Sequence, residues 1–117
     1  MAFLDRAPLF HGHVLIATRE HVATLDDLPD ALLAPLFGAV RRMSIAVQKA
    51  LSADGSFVAV NTRISQSVPH VHVHVVPRRK NDGLFSPRPI WRRKSYEDDA
   101  QMSGIATRIR EAYERAS

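Results

Sequence analysis

The chain of 117 residues has no cysteine, so disulfide bridges and thiolate zinc sites are excluded. It also lacks long apolar runs. The longest, such as residues 14–17 and 57–60, reach four residues, far short of the ~20 that a membrane-spanning helix needs. The first six residues, Met1-Ala2-Phe3-Leu4-Asp5-Arg6, have neither the basic region nor the apolar stretch of a secretory signal. These absences predict a cytoplasmic protein with no membrane partner. Aromatic residues are few, with one tryptophan. The main basic run holds two of them, Phe85 and Trp91, which do not make an interleaved stacking platform, so no specific nucleic-acid partner is expected.

What the sequence has is charge in one place. The stretch from Arg78 to Lys94 holds seven cations and one acid, Asp82, and its net +6 leaves −2 for the rest of a chain that totals +4. It reads either as a solvated positive loop or as an attractor for phosphate. Length and 45% apolar content fit one domain, residues 1–117, with its own core.

The patterns predict an α+β fold. Residues 2–5 and 13–18 read as strands, the second entered through Gly12, and Asp26 and Asp27 stand near a helix start. Leu36, Val40, Met43, Val47 and Leu51 recur at helical intervals. Because proline breaks helix interiors, a short turn from Pro29 and a main helix from about Pro35 are expected, stopped by Asp54-Gly55. Residues 57–61 and 70–76 read as an antiparallel strand pair, residues 79–94 as irregular. A C-terminal helix from about Tyr96, capped by Ser95, carries Met102, Ile105, Ile109, Ala112 and Tyr113 on one stripe. One antiparallel sheet with helices packed on it accounts for this order.

The most informative stretch is His70-Val71-His72-Val73-His74-Val75-Val76. Side chains on a strand alternate between faces, which puts three valines on a face to bury and three imidazoles on the other, roughly 7 Å apart. Three chemistries are open to such a row. A zinc ion needs nitrogens ~2 Å from one centre, and a line of roughly 14 Å cannot supply three without help from another element. A merely structural histidine-rich strand is the second. The third is covalent catalysis: a neutral imidazole attacks phosphorus, and flanking imidazoles stabilise charge on the phosphate oxygens or protonate the leaving group.

The same stretch resembles the signature of the histidine-triad (HIT) superfamily of nucleotide hydrolases and transferases. Phe3-Leu4-Asp5 with Pro8, Gly12-His13-Val14-Leu15-Ile16, His21-Val22 before Leu25-Asp26-Asp27-Leu28, Asn61, Gln66-Ser67-Val68 and Pro77-Arg78 resemble its other blocks in order, from Ala2 to about Arg78. The resemblance implies a HIT-like antiparallel sheet with one main and one C-terminal helix. It implies cleavage of a nucleoside-5′-phosphoryl compound, adenosine being the expected nucleoside, at the α-phosphate. His72 would be the nucleophile, with His70 and His74 in support. Asn61, Gln66 and Ser67 would contact the phosphate side, Asp5 the ribose, and Phe3, Leu4 and Arg6 the nucleoside cleft. His13 would pack behind the triad, while His11 and His21 read as surface or structural residues. No metal or cofactor and a homodimer are expected. A non-catalytic nucleotide-binding module and a metal-dependent hydrolase stay open as alternatives.

The chain departs from the family pattern in four places. It has Ser65 where a glycine is usual, its loop from Asn61 to His70 is about two residues short, and it begins at the Phe-Leu-Asp block. It also lacks the tryptophan-proline-proline-glycine ending of the phosphoramidase branch, and Pro77-Arg78 is closer to the fragile-histidine-triad branch, which cleaves dinucleoside polyphosphates. Trp91 is a candidate for stacking on a base or a partner subunit.

Overall fold

The computed structural model describes residues 1–85 and 93–116, so Trp91 and the cations Arg88 and Arg92 lie outside the described residues. Four strands, β1 (Ala2–Leu4), β2 (Val14–Ala17), β3 (Gly55–Val60) and β4 (His72–Arg78), form one antiparallel sheet in the order β1-β2-β4-β3. Two helices, α1 (Asp30–Leu51) and α2 (Asp99–Arg115), pack together on one face of it. The architecture is the α+β arrangement that the sequence pattern predicts.

The alternation along β4 decides which face is which. Val71, Val73 and Val75 are buried among Val40, Met43 and Val47 of α1 and Ile105 and Ile109 of α2. Fully burying such side chains contributes roughly 1.5–3 kcal/mol each, which locks the register. The opposite face is left to His72 and His74. The register puts Leu15 of β2 and Ala59 of β3 beside His74, and Phe3 of β1 beside Leu15.

Several boundaries differ from the expectation, each for a local reason. Strand β4 starts at His72, not at His70. Its partners run out there, since Ala17 pairs with His72 and Val60 with Val73. The His70 N–H instead donates to the Val68 carbonyl and the Val71 N–H to the Val22 carbonyl.

Helix α1 runs through Pro35 without breaking. Proline there removes one hydrogen bond, to the carbonyl of Ala31, and both residues are exposed in the first turns, where water can satisfy that carbonyl. The helix ends at Leu51 because Ser52 adopts a left-handed conformation, φ 51°. Asp54-Gly55 therefore opens β3 and does not stop the helix.

Helix α2 is capped by Asp98, not Ser95. The Asp98 carboxylate accepts the Gln101 N–H at 2.7 Å, and the Gln101 side chain accepts the Glu97 N–H at 2.7 Å. Gly12, at φ 93°, turns the chain into β2, and a Cβ there would collide with Leu51.

Candidate active site

Strand geometry and a chain of hydrogen bonds fix the protonation of each histidine on the exposed face. A backbone amide starts the chain. The Leu9 N–H donates to His13 Nδ1 at 3.1 Å, so a neutral His13 carries its proton on Nε2. Burial lowers the His13 pKa from 6.5 to about 4, against an opposing pull from Asp5, and the ring is neutral at physiological pH. Its Nε2–H then donates to His74 Nδ1 at 2.9 Å. With Nδ1 occupied as an acceptor, the proton of neutral His74 sits on Nε2. Burial, and next the neighbouring His72, lower the His74 pKa as well. His74 Nε2 is itself buried without a hydrogen-bond partner among the described residues. A buried, unpaired donor costs about 1–3 kcal/mol, a cost that a bound acceptor would relieve.

His72 is arranged the opposite way. A carbonyl can only accept, so the 2.7 Å contact between His72 Nδ1 and the His70 carbonyl puts the His72 proton on Nδ1. The lone pair is then on Nε2. The His72 and His74 rings stand 5.1 Å apart at 65°, one with its lone pair on Nε2 and the other with its proton there. His70 lies outside the strand. Its Nε2–H donates to the Thr18 carbonyl at 2.6 Å, with Thr18 Oγ1 at 3.3 Å.

The other expected residues divide. Asp5 comes to the histidine face: one carboxylate oxygen lies 3.9 Å from His13 Nε2, and the other accepts the Ala7 N–H at 2.9 Å. Phe3 shares that face through its pairing with Leu15 and is 47% exposed, open to a flat ligand. Asn61 comes directly after the last β3–β4 pair, Val60 with Val73, and is half-buried. Leu4 and Arg6 are not brought to the histidine face; with Phe3 they border a cavity of about 850 Å³ between β1 and α2. Alternation turns Leu4 into the core, and Arg6 reaches Asp99 at the start of α2, 3.8 Å away.

Gln66 is spent on backbone groups, donating to the Ala23 carbonyl of the segment after β2 at 2.6 Å and accepting the Arg63 N–H of its own loop at 3.0 Å. Ser67 is exposed on the same loop, and Ser65 there adopts a positive φ of 59°. Of the remaining histidines, His11 stacks on Tyr96 at 4.6 Å, and exposed His21 stands edge-on to His70 at 5.5 Å.

Three groups escaped the sequence reading. Thr18 grips His70, the Leu9 amide sets the tautomer of His13, and Arg93 lies 3.7 Å from Asp5. No spacing signals any of them, because two act through backbone atoms and one arrives from a distant segment. As for metals, the triad nitrogens do not gather around one point. Asp5, His13 and His74 offer ligand atoms within 4.8 Å of one another, but the two imidazole nitrogens of that set already share a proton.

The family profile described as the HIT domain matches residues 1–81. The chain belongs to the HIT domain family. This HIT domain is 39% identical over 83 residues to the asymmetrical bis(5′-nucleosyl)-tetraphosphatase of Schizosaccharomyces pombe, covering 69% of the chain and 46% of that protein. It is 32% identical over 112 residues to the adenylylsulfatase HINT3 of Arabidopsis thaliana, covering 94% of the chain and 56% of the relative. The chain thus spans about half the length of these two curated relatives. Among solved structures, a hypothetical histidine triad nucleotide-binding protein from Sulfolobus tokodaii superposes with a TM-score of 0.82 at 29% identity, over 97% of this chain and 77% of the other.

Proposed function

We propose that this HIT domain is a nucleotide hydrolase that cleaves a nucleoside-5′-phosphoryl compound, adenosine being the preferred nucleoside, at its α-phosphate. The observation that carries this reading is the pair of opposed tautomers: a lone pair on His72 Nε2 beside an unpartnered N–H on His74. The Nε2 lone pair attacks the α-phosphorus, and the bond to the leaving oxygen breaks with its electron pair going to the leaving group. The resulting nucleotidyl-imidazolium keeps its Nδ1–H on the His70 carbonyl, which offsets the new positive charge. The His74 N–H stabilises charge on a phosphate oxygen. Water then attacks phosphorus and releases one proton to solvent, the phosphorus–nitrogen bond breaks, and the lone pair returns to Nε2. The relatives named for nucleosyl-tetraphosphate and adenylylsulfate cleavage support a nucleoside-5′-phosphoryl substrate, and AMP would then be a product.

The test is intact-protein mass after brief mixing with a dinucleoside polyphosphate, denatured without acid because acid cleaves the phosphorus–nitrogen bond. A rise of one nucleoside monophosphate, absent in His72→Ala along with turnover, is the expected result. Binding with neither adduct nor product would replace the hydrolase by a non-catalytic module.

The same reading includes a homodimer. Leu33 and Phe37, one turn apart on α1, and Val58 on the edge strand β3 are large exposed apolar side chains. They suit burial against a second copy. Light scattering at micromolar concentration should give twice 13.1 kDa; a monomer mass would reject it. A cytoplasmic location, in keeping with the absence of cysteine, would be overturned by recovery from a secreted or membrane fraction.

A further inference from the structure

Of the described cations between Arg78 and Lys94, Arg93 is the one that reaches the histidine face, at Asp5. Arg78 is accounted for by two hydrogen bonds to Asp82, at 3.1 and 2.7 Å. Arg79 and Lys94 are not accounted for in this way. Together with Arg108 of α2 they surround a cavity of about 330 Å³ at the C-terminal end of α1, completed by Phe10, His11, Leu51 and Ile105. Leu51 and Ile105 are buried and form an apolar floor, and the three cations are exposed at its rim.

No carboxylate lines the cavity, and none of its three cations has an ion-pair partner among the described residues. Residues 86–92 contain no acid that could serve. Helix capping explains part of the arrangement. Arg79 donates to the Leu51 carbonyl, and Arg108 donates to the Ala50 carbonyl at 2.6 Å, satisfying the end of α1. That uses one of five donors on each guanidinium. It does not explain Lys94, whose ammonium stands 5.0 Å over the Phe10 ring and whose backbone N–H is fixed to the Pro8 carbonyl at 2.7 Å.

We propose that this cavity is an anion site for a phosphate group, either a compact phosphate monoester or inorganic phosphate, held by Arg79, Lys94 and Arg108. It is separate from the histidine face. Arg79 lies seven residues beyond His72, ~23 Å along an extended strand, and the floor comes from the helices on the valine side. The segment 93–96 links the two places. Arg93 donates to the Ala7 carbonyl at 2.9 Å, the His11 ring donates to the Ser95 carbonyl at 3.1 Å, and the Gly12 N–H donates to the Tyr96 hydroxyl at 3.0 Å. An anion gripped by Lys94 would therefore clamp this segment onto the loop that leads into His13.

The test is a ¹H–¹⁵N NMR titration of the whole chain with inorganic phosphate, and separately with AMP, at ionic strength held constant with sodium chloride. Saturable shifts are expected at Phe10, His11, Ser95 and Arg108. In Lys94→Gln and Arg108→Gln the affinity read at those amides should fall about tenfold or more, the loss of a charge-assisted hydrogen bond, while shifts around His72 persist. Lys94→Gln leaves both caps of α1 in place, so it reads binding even if Arg108→Gln unfolds. Tighter binding of AMP than of phosphate at these amides assigns the site to a monoester, and the reverse assigns it to the free ion. Absence of saturation, equal shifts with chloride alone, or shifts unchanged in Lys94→Gln would overturn the proposal.

Discussion

Replacing His13 by leucine removes the link between the Leu9 amide and His74 at nearly constant volume, and its effect should depend on pH. The folded pKa of His13, about 4, lies below its ordinary value of 6.5 because the ring is buried. Between these two pH values the unfolded chain takes up more protons than the folded one, so stability rises with pH through that window and falls as the medium is acidified. The full difference is worth about 3 kcal/mol, at ~1.4 kcal/mol for each tenfold change in proton affinity. About 2 kcal/mol of it should be lost between pH 7 and pH 4.5. His13→Leu has no such term. At pH 7 it should be less stable than the parent by about 1–3 kcal/mol, because the Leu9 N–H loses its acceptor in a buried setting. At pH 4.5 that deficit should shrink by about 2 kcal/mol. Urea unfolding of both proteins at the two pH values measures it. A deficit that stays the same within about 0.5 kcal/mol would refute the assignment of a buried, neutral His13. Turnover should fall in the variant at neutral pH, since nothing then holds the His74 proton on Nε2.

Ser65→Gly should raise stability by about 1 kcal/mol, because Ser65 holds φ 59° where a side chain is penalised; a lower melting temperature would contradict this. His70→Ala should retain far more turnover than His72→Ala, within roughly 100-fold of the parent, because the carbonyl that binds His72 Nδ1 survives the change. Equal losses in steady-state assays would show that the His70 ring serves the reaction directly.

The sheet was legible wherever a periodic face met a core. Alternating valines in β4 and the three- and four-residue spacing from Leu36 to Leu51 each describe a surface that must be covered, and both are. Boundaries were less legible, because they depend on neighbours far along the chain. Strand β4 begins where Ala17 and Val60 cease to pair, and no local property of His70 records that. The Pro35 expectation failed because the cost of proline depends on whether the freed carbonyl can reach water. The Asp98 cap was readable in principle, as an aspartate followed three residues later by Gln101. In the site, the family resemblance grouped Leu4 and Arg6 with Phe3 and Asp5, yet strand alternation turns Leu4 toward the core, and Arg6, beyond the end of β1, reaches Asp99. Trp91 lies outside the described residues.

Equal spacing suggests three equivalent imidazoles, and the departure from it is what gives each a distinct task. Within a ladder, a residue's carbonyl is committed to a neighbouring strand or points away from its own side-chain row. His70 stands just before the ladder, so its carbonyl is free to turn toward the ring two residues on, at 2.7 Å from His72 Nδ1. His74 sits inside the ladder, opposite Leu15, and its ring nitrogen faces His13 across the entrance to β2. One ring is thus protonated on the nitrogen nearer the backbone and its neighbour on the nitrogen farther out. Both orientations trace to backbone atoms, the His70 carbonyl directly and the Leu9 amide through the His13 ring. The pairing of a lone pair with a donor on adjacent rings therefore follows from where the strand begins, and a strand starting two residues earlier would forfeit it.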